Sequence, residues 1–166
     1  MENVFPEPSG RVPAEPKWLD PVQARAWRAY MDGHQRLMTA LNRQLQRDSD
    51  LSVAEYRILV LLSEAPDRSL RMSELADGVL SSRSRLTHQI RRMEAQHMVR
   101  RNTCLEDGRG VLAELTDEGL RRLEAAAPGH VDAVRRDFID LLTPAQLEVI
   151  GEVFARIDHV IDERAG

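Results

Sequence analysis

Apolar residues recur along most of this chain at the spacing of a helix face, and alternate like a strand in only one place. From Pro21, a helix-starting proline behind Asp20, the positions Trp27, Tyr30, His34, Leu37, Leu41 and Leu45 form a stripe that predicts a helix to about Arg47. Ser52 and Glu55 make a capping box ahead of the apolar run Val53 to Leu62, which Pro66 ends. Ser73 to Val79 predicts a short helix broken at Gly78 to Leu80. Ser81 and Ser82 offer N-caps for a second helix to about Gln96, with Leu86, Ile90 and Met93 as its buried stripe. The segment Glu106 to Gly119 then reads as a turn built on Asp107, Gly108 and Gly110, a strand in which Val111, Ala113 and Leu115 alternate, and a helix capped by Thr116 with Asp117 and Glu118 in its first turn. Helix continues from Thr116 to Ala127, is kinked or broken at Pro128-Gly129, and resumes from His130 to Leu142. Thr143, Pro144 and Gln146 start a last helix striped by Leu147, Ile150, Val153 or Phe154, Ile157, and Val160 or Ile161.

Helix, turn, helix and hairpin, in that order, describe a winged helix-turn-helix, so the expected fold is mainly α with a small β-hairpin wing. At about 100° per residue, the side of the second helix opposite its apolar stripe carries Ser81, Ser84, His88 and Arg91, flanked by Arg85, Thr87 and Arg92, with Ser82 at its start. Short polar and cationic side chains on one face suit hydrogen bonds to base edges in a major groove and contacts to phosphate. Arg109, at the tip of the turn with Asp107 two residues before it, suits a narrow minor groove, and the carboxylate would orient the guanidinium.

Charge sharpens this picture. The formal net charge of −4 argues against a nucleic-acid partner until its distribution is considered. Residues 81–110 hold seven arginines against three acids, an excess of four positive charges, so the remainder of the chain carries −8. A basic patch on an acidic body is the footprint of a localised DNA site. The 166 residues suffice for one core. Residues 1–16 hold four of the eight prolines and few apolar side chains, and are expected to be a disordered or loosely docked tail. No apolar run has transmembrane length, no signal-peptide pattern opens the chain, and the single Cys104 cannot form an internal disulfide. These point to a reduced cytoplasm and no membrane.

The spacing Asp107-x-Arg109, strand, Leu115-Thr116-x-x-Gly119 resembles the wing signature of the MarR family of transcriptional regulators. The likeness extends upstream through LSVAEYRILVLLSEAP, Leu51 to Pro66, and downstream through the last helices, covering roughly residues 20 to 163. It implies a homodimeric repressor of a pseudo-palindromic double-stranded DNA operator, with a recognition helix in the major groove and the wing arginine in the minor groove. It also implies a division into the tail (1–16), an N-terminal dimerisation helix (17–50), a DNA-binding lobe (51–115) and C-terminal dimerisation helices (116–166). Members of the family often bind small aromatic or phenolic effectors between the two lobes, which makes Trp18, Trp27, Tyr30 and His34 the candidate pocket residues here.

The same residues admit competing readings. Ser84 and His88 lie four apart, but no third orienting residue and no oxyanion device accompany them, so no catalytic role is expected. His34, His88, His97, His130, His159 and Cys104 have no compact ligand spacing, and no metal or cofactor is expected. Cys104, in the wing strand, is assigned to packing rather than redox sensing. The alternative of another class, a winged-helix protein-interaction module without DNA binding, is disfavoured by the intact arginine face.

Overall fold

The computed structural model describes residues 16–79, 81–103 and 110–165. The chain divides into two compact units, residues 1–34 and 35–166, and the division falls inside the first helix, α1 (Pro21–Ser49). Leu41, Gln44 and Leu45 are the buried residues of α1, whereas Trp27 and Tyr30 of the expected stripe keep 54% and 41% of their surface exposed. Only the last turns of α1 are therefore core within a single chain. Asp20 starts the helix, its Oδ1 accepting from the amides of Val22 and Gln23.

In the second unit the core forms around α2 (Val53–Glu64), whose Ile58, Leu59 and Leu62 are fully buried. The capping box expected there is present: Ser52 Oγ accepts from the Glu55 amide at 3.2 Å, and the Glu55 carboxylate accepts from the Ser52 amide at 2.8 Å. Two helices follow, α3 (Met72–Gly78) and α4 (Arg83–Ala95). Leu75 of α3 and Leu86, Ile90 and Met93 of α4 have no exposed surface. Burial of such side chains is the dominant favourable term in holding the lobe together.

The expected hairpin proves to be part of a three-stranded antiparallel sheet in the order β1-β3-β2, formed by β1 (Ser69–Arg71), β2 (Val99–Thr103) and β3 (Val111–Leu115). The sequence does not announce β1. Three residues are too few for alternation to register, and the strand exists because Leu70 pairs with Ala113 in the middle of β3. In β3 the expected alternation holds where it matters, with Ala113 and Leu115 buried.

Helix α5 (Asp117–Asp137) corrects another expectation, because it runs unbroken through Pro128. Leu123 and Ala126 before the proline and Ala133 after it are all buried, so packing holds both halves in line. Pro128 itself is exposed, and water can serve the carbonyl that loses its partner. The helix ends at Asp137 rather than continuing to Leu142, and a single tight turn, Ile139–Leu141, leads to α6 (Pro144–Ala165). The Thr143–Gln146 capping box at the start of α6 is present as expected.

The junction of α4, β2 and α5 is closely packed around the Met98 carbonyl. α4 ends with the Met98 amide donating to the Met93 carbonyl and the His97 amide to Glu94, a paired closure that puts His97 at φ 60°. The Met98 carbonyl then accepts from the Thr116 amide (3.2 Å), and the Thr116 hydroxyl is shared between the carbonyls of His97 (2.6 Å) and Met98 (3.0 Å). Gly119 lies directly over it: a Cβ there would stand 2.1 Å from the Met98 oxygen and 2.7 Å from Leu115 Cδ1. Gly119→Ala should therefore destabilise the fold by about 3 kcal/mol, because backbone must shift to admit one methyl. Gly33→Ala, which meets nothing within 4 Å, should instead stabilise α1 by up to about 1 kcal/mol through helix propensity. Urea unfolding of the two variants checks both signs.

Candidate nucleic-acid interface

The buried stripe of α4 fixes what the helix shows to the outside. Opposite it, Ser84, His88 and Arg91 are all exposed, with Arg85 exposed at one edge. Thr87, at the other edge, is half-buried, and its hydroxyl donates to the Arg83 carbonyl at 2.7 Å. Ser82 is the N-cap, its Oγ accepting from the Arg85 amide at 3.3 Å. Ser81 precedes the cap, and its buried Oγ makes no hydrogen bond among the described residues. The helix has one acid, Glu94, and it is occupied: Arg101 of β2 donates to it through both its amide (3.0 Å) and its Nε (2.7 Å). Among the described residues, Arg83, Arg85 and Arg91 join no ion pair.

Arg92 behaves differently from its neighbours. Its guanidinium turns back onto α2 and donates to Glu55 Oε1 through Nε at 2.8 Å. The sequence places it with Arg85 at the edge of the exposed face, because a helical wheel shows angle and not the partner within reach.

A groove of about 390 Å³ runs beside α4, lined by Arg71, Ser73, Arg83, Thr87, Arg101 and Gly110 with Met72 and Val111. Sequence reasoning misses Arg71, Ser73, Arg83 and Arg101 as site residues. They come from β1, α3, α4 and β2, and only pairing of the sheet brings them to one place. The local excess of arginine is their one signal.

The base of the wing is tied down from two sides. Arg100 donates to Glu114 through both Nε, at 2.8 Å to Oε2, and Nη2, to Oε1; Asn102 adds a third bond to Oε2 at 2.7 Å. The Arg100 guanidinium holds the Glu114 carboxyl below the usual carboxylate range. Arg101 meanwhile links β2 to α4 through Glu94. Asp107 and Arg109, expected at the wing tip, lie outside the described residues, as does Cys104.

The four candidate pocket residues are spread along residues 16–34. Trp18 precedes α1 and is 81% exposed. The Trp27 and Tyr30 rings lie 5.8 Å apart, as do those of Tyr30 and His34, so the three form a ladder on one helix face. A cavity of about 610 Å³ is lined instead by Gln35, Met38, Asn42, Val53, Ala54 and Arg57, among others, and by none of the four. Among the described residues, no group of three or more His, Cys, Asp or Glu side chains could hold a metal ion, and no helix is long and apolar enough to cross a membrane.

A sequence model of the MarR family matches residues 51–111, from just before α2 to the start of β3. The chain is 45% identical to Sco3205, a MarR family transcriptional regulator from Streptomyces coelicolor whose crystal structure is in complex with DNA; the two superpose with a TM-score of 0.84 over 86% of this chain and 90% of that one. AbsC, another MarR family regulator from the same organism, is 40% identical with a TM-score of 0.85 over 89% of this chain and 99% of AbsC. The HTH-type transcriptional repressor YetL of Bacillus subtilis (strain 168) is 32% identical over 110 residues, which are 64% of this chain and 66% of YetL. Two short helices braced against a three-stranded sheet define a winged helix-turn-helix protein of the kind that regulates transcription. The chain belongs to the MarR family of transcriptional regulators.

The bond between Glu94 and the Arg101 amide is a local brace, which sets its expected contribution. Glu94→Ala should speed hydrogen exchange at the Arg101 amide by about fivefold, since an exposed bond of this kind holds on the order of 1 kcal/mol of local opening free energy. Amides in the middle of α4 should keep their protection. Exchange measured by NMR distinguishes this from general unfolding.

Proposed function

We propose that this chain is a homodimeric, sequence-specific transcriptional repressor that binds a pseudo-palindromic operator. The observation that carries the reading is the exposed face of α4: Ser84, His88, Arg85 and Arg91 stand together, and the helix's one carboxylate, Glu94, is held by Arg101. In this reading α4 enters the major groove, with Ser84 and His88 at base edges and Ser82, Thr87, Arg85 and Arg91 on the flanking backbone; Ser81, expected on that face, has its Oγ buried and is left out of it. The groove lined by Arg71, Arg83 and Arg101 leads from α4 toward the wing. Asp107 and Arg109 serve at the wing tip, where an arginine reads a narrow minor groove.

Dimerisation is supported by apolar surface left exposed in a single chain. Val153, Phe154, Ile157 and Ile161 of α6 are each more than two-fifths exposed, as are Trp18, Val22 and Trp27 in the first unit. A twofold mate would cover such faces and present two α4 helices to successive major grooves. Repression is supported by similarity to YetL, which is a repressor. A small aromatic or phenolic effector is part of the reading: the cavity beside Met38, Asn42 and Ala54 is large enough for one. Trp18, Trp27, Tyr30 and His34 are the other candidates for holding it.

Selection of binding sites from random DNA, followed by salt titration, tests the DNA reading. Ser84→Ala and His88→Ala should alter the selected sequence. Arg85→Ala and Arg91→Ala should keep it and flatten the slope of log affinity against log salt by about 0.9 for each phosphate no longer neutralised. If all four variants bind as the parent does, α4 is not the reading helix. Assembly is tested separately with Ile157→Asp. A charge buried in an apolar interface costs several kcal/mol, so the variant should sediment as monomer or aggregate and lose operator binding with α4 unaltered. A variant that remains dimeric and bound to the operator places the interface elsewhere.

A further inference from the structure

We infer that Glu55 is a positioning residue for α4, acting through Arg92, and that Arg92 holds the recognition helix rather than a DNA phosphate. This rests on α4 being the helix that reads DNA.

Glu55 is 1% exposed, although its capping task asks for no such burial. The cap uses only Oε2, which accepts from the Ser52 amide and hydroxyl at 2.8 Å each. Oε1 serves Arg92, accepting from Nε at 2.8 Å, with Nη2 in ion-pair contact at 2.5 Å. A carboxylate deprived of water needs such donors to be tolerated at all. The bond therefore joins two sites 37 residues apart in the chain, the first turn of α2 and the third turn of α4. The start of α2 is tied in turn to α1, where Asn42 Oδ1 accepts from the Val53 amide at 3.1 Å.

The apolar stripe of α4 sets which side faces inward, but Leu, Ile and Met contacts are non-directional and tolerate small rotations. A charge-assisted hydrogen bond from a guanidinium Nε–H to a carboxylate oxygen is directional. Arg92 lies one turn, about 6 Å, beyond His88. A rotation permitted at Arg92 thus carries His88 and Ser84 with it.

The two roles for Arg92 predict opposite responses to the isosteric variant Glu55→Gln, which keeps the capping oxygen. If Arg92 positions α4, then Glu55→Gln and Arg92→Ala should each weaken operator binding on the order of tenfold, and the double variant should be no worse than either, since the pair acts as a unit. The salt slope should stay at the parental value, and affinity for random DNA should hardly change. Arg92→Lys, which keeps one donor for Glu55, should recover part of the loss. The inference is overturned if Arg92→Ala flattens the salt slope by about 0.9 while Glu55→Gln tightens binding by releasing the guanidinium. It is also overturned if the double variant shows the product of the two single effects. Hydrogen exchange of the DNA-free protein separates this from the functional reading: faster exchange in the last two turns of α4 of Glu55→Gln, at unchanged global stability, supports the positioning role even if the parent binds no DNA. Parental exchange there overturns it.

Discussion

Helix α4, the wing and α5 all depend on the surroundings of one carbonyl oxygen, that of Met98. The Met98 amide closes the end of α4, its side chain is fully buried, and its carbonyl takes the Thr116 amide and shares the Thr116 hydroxyl with the His97 carbonyl. Glycine is the only residue type at position 119 that lets α5 begin so close to it. The start of β2 is thereby fixed to the end of α4 on one side and to the start of α5 on the other. Since β2 pairs with β3 and β3 with β1, the whole sheet is referred to the same point. The Leu-Thr-x-x-Gly spacing thus has a structural reason: Leu115 fills the core, Thr116 caps α5 and binds Met98, and Gly119 makes room.

Part of the arginine of this protein is paired with acids. Arg47, Arg100, Arg101, Arg121, Arg122, Arg135 and Arg136 are all set against acids. Surface pairs of this kind contribute little stability each, but they neutralise the body locally. Arg85 and Arg91 of the exposed α4 face have no such partner among the described residues. With a screening length of about 10 Å at 0.1 M salt, an approaching polyanion responds to that face and not to the chain's net negative charge. Glu94 could have cancelled part of it, and its capture by Arg101 both braces the wing and removes a repulsive carboxylate.

Apolar surface divides along similar lines. The lobe from α2 to β3 completely buries Ile58, Leu59, Leu62, Leu75, Leu86 and Ile90, whereas α6 leaves Val153, Phe154, Ile157 and Ile161 in contact with water. Several such residues at one helical spacing form an apolar patch of a kind that marks interaction surfaces. The short buried side chains of α5, Ala126 and Ala133, have the opposite effect, letting that helix approach the core closely enough to stay continuous past Pro128.

Local features are legible in the sequence because their causes are local. The caps at Ser52, Ser82, Thr116 and Thr143 each depend on residues within three positions, and the Leu86–Ile90–Met93 stripe on one helix's own period. Those signals also define which face of α4 is exposed, and so most of the candidate site. What the sequence could not determine depends on partners distant in the chain. The three-residue strand β1 exists only because β3 pairs with it. Pro128 ends a helix by local rules and does not here, because buried neighbours on both sides override them. Arg92 looks equivalent to Arg85 on a wheel, and the tertiary fold alone brings the Glu55 carboxylate within 2.8 Å of it. A helical period specifies direction around an axis, whereas an ion pair between helices also requires the distance between their axes, which only packing sets.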